Sequence, residues 1–238
     1  DKTGHSSVFK TTHIISSKKF SEYTDFPMPD DYPDYPSGSE LLAYFNSYVD
    51  KFDLKQHIRF NTKVVKAIPL DNKWKLFFED SSEDFDYLIV ANGHHWSPRI
   101  PTFEGEFSGE MMHSHQFKNN EYFKDKSVLV VGGGNSACDI AVEVSRVAKK
   151  TSISMRRGYH FIPKFMMGIP SDAYYAKTLW IPQRIRLFFQ KLALRIVQGT
   201  YENYGLQKPD HDILQSHATV NSELLYFIKH GKISPKKN

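Results

Sequence analysis

The chain has 238 residues, 40% hydrophobic and 14% aromatic, which is enough to fill a core and rules out a disordered, collagen-like or low-complexity protein. Its 31 Lys and Arg against 27 Asp and Glu leave a net charge of +4 spread along the sequence; that suits phosphate-bearing small molecules and argues against a nucleic-acid partner, which calls for a concentrated basic stripe. The single cysteine, Cys138, makes no internal disulfide, no apolar run approaches the ~18 residues that span a bilayer, and no signal-peptide pattern opens the chain, so a cytoplasmic setting without membrane association is expected, with the oligomeric state open.

Residues 1–36 read as irregular, with a short strand near Val8 to Ile15. Four prolines lie between Asp25 and Pro36; each fixes its own φ and restricts its predecessor, so this stretch is an ordered loop and not a helix. An amphipathic helix follows, capped by Ser37 or Ser39, with Leu41, Leu42, Phe45, Tyr48, Val49 and Phe52 on its apolar face. Strands are expected over Ile58 to Ile68 and Lys73 to Phe78 around a turn at Asp71-Asn72, and a fully buried strand over Tyr87 to Ala91.

The second half opens with a buried-type strand, Ser127 to Val131, then Gly132-Gly-Gly-Asn-Ser-Ala137 and a helix from Ser136 to Lys149 with Ile140, Val144 and Val147 on one face. Thr151 to Met155 is a second strand, closed by Arg156-Arg157-Gly158. Pro182 to Gln198 reads as a strongly apolar helix, with Arg184, Lys191 and Arg195 on one side, packed in the core or at an interface. The chain ends in a strand stub and a basic tail.

Gly132-x-Gly134-x-x-Ala137 has the spacing and the strand–turn–helix–strand context of a dinucleotide fingerprint. Gly132 allows a sharp turn out of the strand, Gly134 lets a pyrophosphate approach the backbone, and the small Ala137 allows close helix–strand packing. The amides of the first helical turn, from Asn135 and Ser136 through Cys138 to Asp139, then face the phosphates. At the end of the second strand, where an NAD site places an acidic residue, stand Arg156 and Arg157, a pair suited to a 2′-phosphate. NADP(H) is the expected cofactor. His94-His95 and His113-x-His115 lack the companions of a metal site, and no metal is expected; Gly-x-Ser-x-Gly is absent, and no catalytic side chain is assigned.

Phe107-x-Gly109-x-x-x-His113-x-x-x-Phe117 resembles the identifying motif of flavin-containing monooxygenases. The segment Ala91 to Pro101, the fingerprint Val130 to Ile140, Asp25-Phe-Pro-Met-Pro29 and Lys229-His-Gly-Lys-Ile233 are similar to further family segments in the same order, so the resemblance covers nearly the whole chain. It implies an α/β, two-dinucleotide-binding-domain (Rossmann-like) flavoprotein architecture with an incomplete FAD domain. Residues 1–118 would be the partial FAD-binding domain with strand meander and linker, and 119–238 the NADPH-binding domain. No first Gly-x-Gly-x-x-Gly is present, so the chain reads as an internal fragment.

The implied reaction is NADPH-dependent: FAD, once reduced, traps O2 as a C4a-(hydro)peroxyflavin that oxygenates a small-molecule soft nucleophile, an amine nitrogen or sulfide sulfur. Where the family commonly has an Asn near the flavin, this chain has Ile15, so only the backbone of Ile15 and Ser16 is implied as a cofactor contact. Two alternatives stand beside this: a Baeyer–Villiger-type ketone monooxygenase, whose motif typically ends in Trp where Phe117-Lys118 stands here, and, for the isolated fragment, a catalytically inactive NADP(H)-binding module.

Overall fold

The computed structural model describes residues 6–93, 95–213, 215–216 and 218–236. Two compact units divide the chain: one takes the residues up to Leu41 and again from Arg99, the other spans Leu42–Pro98. This division follows packing and differs from the boundary near residue 118 that the resemblance implies.

The N-terminal segment holds a short helix, α1 (Lys18–Ser21), and leads into α2 (Gly38–Lys51). The strand expected over Val8 to Ile15 reduces to a single bridge between His13 and Ser37. Its cause is local: the Thr12 amide donates to the Phe9 carbonyl at 3.0 Å while the Thr12 hydroxyl accepts from the Phe9 amide at 3.0 Å, folding the chain into a turn. The proline-rich loop is ordered as expected, with Met28, Tyr35 and Pro36 buried. Ser37 is the cap of α2 and Glu40 completes a reciprocal box: the Ser37 amide and hydroxyl both donate to Glu40 Oε2 at 2.7 Å, and the Glu40 amide donates to Ser37 Oγ at 3.2 Å.

In the second unit, β1 (Lys66–Pro69), β2 (Trp74–Phe77) and β3 (Ser82–Phe85) form an antiparallel meander in which Ala67 faces Leu76 and Leu76 faces Glu83. The strand expected to begin at Ile58 starts only at Lys66; Asn61, at φ +55°, turns the chain out of extended geometry first. Two further expectations fail. Tyr87 to Ala91 is not a buried strand: no strand of the described residues pairs with it, and Tyr87 and Ile89 are 88% and 87% exposed. On α2 only Tyr44 is buried, and Leu42, Phe45 and Phe52 of the expected apolar face are exposed.

The first unit is built on a parallel sheet of order β10–β5–β4, from β4 (Ser127–Val131), β5 (Lys150–Ser154) and β10 (Ile233–Lys236). Helix α3 (Asn135–Ser145) connects β4 to β5 and ends four residues before Lys149, its last turn closed by the Ala148 amide on Val144 O at 2.9 Å. Cys138, Ala141 and Val142 pack on Ile153, Ile233 and on Leu224 and Ile228 of α6 (Leu224–Lys229); Ile140 and Val144 pack on Phe117. Helices thus cover one face of the sheet. On the other face of β4, Leu129 and Val131 are each 56% exposed, so this strand is covered on one side, not both as its apolar run implied.

Between β5 and α6 lie β6 (Phe161–Ile162), parallel to β9 (Thr219–Val220), the hairpin β7 (Phe165–Met166) and β8 (Ile169–Pro170), and helices α4 (Ser171–Lys177) and α5 (Gln183–Gln198). Helix α5 occupies the expected range, but only Leu194 is buried; Ile185, Phe188, Leu192 and Ile196, at positions that share a helical face, are exposed. Among the described residues no helix is long and apolar enough to cross a membrane. Removing the α2 cap tests the first of these local devices: Ser37→Ala should cost about 1 kcal/mol, read as a lower urea midpoint at an unchanged slope.

Candidate functional site: a dinucleotide turn and the adjoining cavity

The chain leaves β4 at Gly132, whose amide donates to Ser154 O of β5 at 2.8 Å and whose φ of +136° is open only to glycine. A side chain at Gly133 would run into the Tyr159 ring, and one at Gly134 would meet nothing within 4 Å. The backbone is therefore packed at one position and bare at the next. Gly134 is extended at φ −79° and ψ 175°, and the first helical bond of α3 runs from the Cys138 amide to Gly134 O at 3.1 Å. The amides of Asn135, Ser136 and Ala137 precede that bond and find no acceptor within the helix, which is the arrangement that receives a phosphate. The Ala137 methyl lies 3.2 Å from where a side chain on Gly132 would stand, so the small residue is needed for the turn to close on the helix.

The side chains around the turn bind protein. Asn135 Oδ1 accepts from the Val220 amide at 2.7 Å, and the buried Thr219 hydroxyl donates to Gly133 O at 2.7 Å. Asn221 Nδ2 donates to Asp139 Oδ1 at 2.6 Å, while Asn221 Oδ1 accepts from the amides of Glu223 and Leu224 and so starts α6. Cys138 is fully buried, its thiol near Gly133 O at 3.6 Å, and burial raises its pKa, so it stays a protonated core group. Thr219 and Asn221 are the residues that the sequence reading missed; the available signal was Asn221 ahead of the apolar run Leu224 to Ile228.

Arg156 and Arg157 follow β5 after Met155 and are both exposed. Arg157 donates from Nη2 to Ser216 Oγ at 3.0 Å and lies 5.6 Å from the Tyr159 ring centre, beside the same tyrosine that backs Gly133. Arg157 and the turn thus lie at neighbouring strand ends, with Tyr159 beside both.

Ile15 lines a cavity of about 590 Å³ whose wall also includes Ser216 and Val220, the residues bonded to Arg157 and Asn135. Ser16 pairs its hydroxyl with Ser21 at 2.8 Å, and the neighbouring Ser17 amide donates to Asp172 Oδ2 at 2.6 Å, tying this segment to α4. His113 closes a turn, its Nδ1 accepting from the His115 amide at 3.2 Å and its own amide donating to Gln116 Oε1 at 2.9 Å; Phe117 is buried edge-on to Phe9 at 5.2 Å. His94 lies outside the described residues, among which no group of His, Cys, Asp and Glu could hold a metal ion.

With this geometry in view, comparison with known proteins is decisive: the flavin-binding monooxygenase-like family matches residues 1–238. The chain belongs to that family. It is 33% identical over 259 residues to flavin-containing monooxygenase 5 of Homo sapiens, covering 99% of this chain and 48% of that protein. Against dimethylaniline monooxygenase [N-oxide-forming] 2 of Oryctolagus cuniculus it is 31% identical over 258 residues, covering 98% and 47%. The chain spans about half the length of these curated relatives. In fold it resembles the crystal structure of OTEMO in complex with FAD and NADP, at a TM-score of 0.71 and 16% identity over 99% of this chain and 58% of that one. The α/β, Rossmann-like flavoprotein architecture is accordingly that of the family.

Burial raises the Asp139 carboxyl pKa, with Glu223 and Glu143 adding to the shift and Asn221 and Lys164 opposing it. A carboxyl raised in the folded state favours folding when protonated and loses that contribution as pH rises through its folded value. Asp139→Asn keeps an acceptor for Asn221 without the buried charge. It should melt higher than the parent at neutral pH, with the gap closing in acid; thermal melts across pH check this.

Proposed function

We propose that this chain carries the NADPH-binding part of a flavin monooxygenase that uses FAD and O2 to place one oxygen atom on a small soft nucleophile, an amine nitrogen or sulfide sulfur. The observation that carries the reading is the bare Gly134 backbone at the start of α3, with the Arg pair at the next strand end. In this reading residues 119–238 form the NADPH domain and 1–118 part of the FAD domain.

The residues present fit NADPH. The amides of Asn135, Ser136 and Ala137 hold the pyrophosphate, and Arg156 and Arg157 grip the 2′-phosphate. Thr219, Asn135 and Asn221 keep the turn rigid from behind, so the amides are aimed before the cofactor arrives. When bound, NADPH supplies a hydride to an acceptor. Ile15 and Ser16 contact the cofactors through their backbone; the Ile15 side chain gives the cavity an apolar wall that excludes water. FAD has no comparable cradle among the described residues: the sequence holds one glycine-rich dinucleotide turn, and it is the one at Gly132. A cytoplasmic setting belongs to the same reading, with Cys138 buried and unpaired.

Two measurements test this. Gly134→Ala should keep the parent's melting temperature, because its methyl meets no protein atom, yet weaken NADP+ binding by about tenfold or more; unchanged affinity in calorimetry would move the pyrophosphate elsewhere. Arg156→Ala/Arg157→Ala should weaken NADPH binding by about tenfold or more and leave NADH almost unaffected, since only NADPH carries the 2′-phosphate; equal losses for both would remove these arginines from the site.

A further inference from the structure

Helix α5 is held to the protein by one side and carries a second apolar surface on the other. Its inner side gives Arg186, Gln190, Ala193 and Leu194 to the cavity wall. Arg186 Nη2 donates to the Tyr175 hydroxyl at 3.0 Å, and Gln198 Nε2 donates to Phe161 O at 3.2 Å, which fixes the helix at both ends of that side. Away from these contacts Ile185, Phe188, Leu192 and Ile196 recur at three- and four-residue spacing. All four are exposed, Phe188 at 63% and Ile196 at 74%, and so are Leu179 and Trp180 just ahead of the helix, Trp180 at 83%. Packing on the protein does not use this stripe, and an exposed apolar surface of this kind marks an interaction site.

Charge says what covers it. Arg184, Lys191 and Arg195 run along one flank of the stripe, all exposed, and no Asp or Glu lies between Leu179 and Gln198. Asp212 pairs with Lys191 at 2.8 Å, and Glu202 lies close to Arg195. From Lys177 to Asp212, however, six Lys and Arg stand against three Asp and Glu, so the segment stays positive. We propose that α5 lies on an anionic lipid surface, with Ile185, Phe188, Leu192 and Ile196 in the acyl boundary and Arg184 and Arg195 among the headgroup phosphates. An apolar stripe edged by cations is the pattern of a helix that lies in the membrane plane. The aliphatic stems of the arginines let their charged ends leave the apolar layer, and Trp180 suits headgroup depth. The 16 residues of α5, about 24 Å in length, are used along the surface and not across it. The lack of a spanning run, which was the ground for expecting no membrane association, leaves this mode open. A second copy of the chain is a poorer cover: two α5 stripes brought together add two sets of cations and no carboxylate of the helix to neutralise them.

The test is co-sedimentation of the full chain with vesicles of phosphatidylcholine alone and of an equal mixture of phosphatidylcholine and phosphatidylserine. The mixed vesicles should bind about tenfold more tightly or better, and added salt should reduce the difference. On the mixed vesicles Trp180 emission should move to shorter wavelength and be quenched by bromine-labelled lipid, and Trp180→Phe should remove most of that signal while still sedimenting. Phe188→Ser/Ile196→Ser should weaken binding to the mixed vesicles by about tenfold or more and keep the parent's melting temperature, because both side chains are exposed. Arg184→Gln/Arg195→Gln should lose about tenfold on mixed vesicles and little on phosphatidylcholine alone. Should the serine pair fail to fold, the glutamine pair and the comparison of the two vesicles decide. The inference is overturned if mixed vesicles do not bind the chain, if both vesicles bind it equally, or if the serine pair binds like the parent and so places the contact elsewhere. It is overturned as well if the parent is a dimer in solution that the serine pair dissociates, since a second copy then covers the stripe.

Discussion

The parallel-sheet part of the molecule is organised by a backbone stretch that is packed on one side and bare on the other. Gly132 to Gly134 meets both demands by using glycine for different reasons: a positive φ at the first, the Tyr159 ring against the second, open space at the third. The surrounding structure serves this asymmetry. Strand β4 delivers the chain to the turn, β5 fixes the Gly132 amide, and α3 supplies a row of amides whose dipoles add at its start. On the packed side Thr219 and Val220 bond the turn and its first helical residue, so the bare side is bare because the polar groups behind it are satisfied.

That arrangement explains why the buried polar residues sit where they do. Thr219 bonds the turn at Gly133, and Asn221 separately bonds Asp139 of α3 and the amide of Leu224 at the start of α6. A burying environment raises the cost of any unpaired member, so each must be satisfied for the turn to hold its shape. Asp139 carries an additional cost as a carboxyl in a dehydrated position, with Lys164 close enough to lower its pKa, while burial pushes the Lys164 ammonium down in turn. Two opposite charges here relieve each other only in part.

What the sequence made legible was local. The fingerprint is six consecutive residues with a strand on one side and a helix on the other, and its geometry is a property of that stretch. The cap at Ser37 and the proline-rich loop were readable for the same reason. The rest depended on distant partners. The clamp on Gly133 comes from Thr219, 86 residues away, and nothing near Thr219 announces it. Tyr87 to Ala91 has the composition of a buried strand, but burial is a property of neighbours, and among the described residues no strand pairs with it. Helix α5 shows the same limit: periodicity reports which residues share a face and is silent on what that face meets.

The cavity and the nucleotide turn share part of their walls, and this bears on how they act together. Val220 lines the cavity and donates to Asn135 at the start of α3; Ser216 lines it and holds Arg157 after β5. The cavity wall therefore includes the partners of Asn135 and of Arg157. Binding that fixes a shared element lowers the ordering cost for the second ligand, whichever arrives first, and the coupling must be equal in both directions. Residues 216 and 220 thus belong to both the cavity wall and the partners of the turn and the arginines, so in the proposed function the two are neighbours on one packed surface.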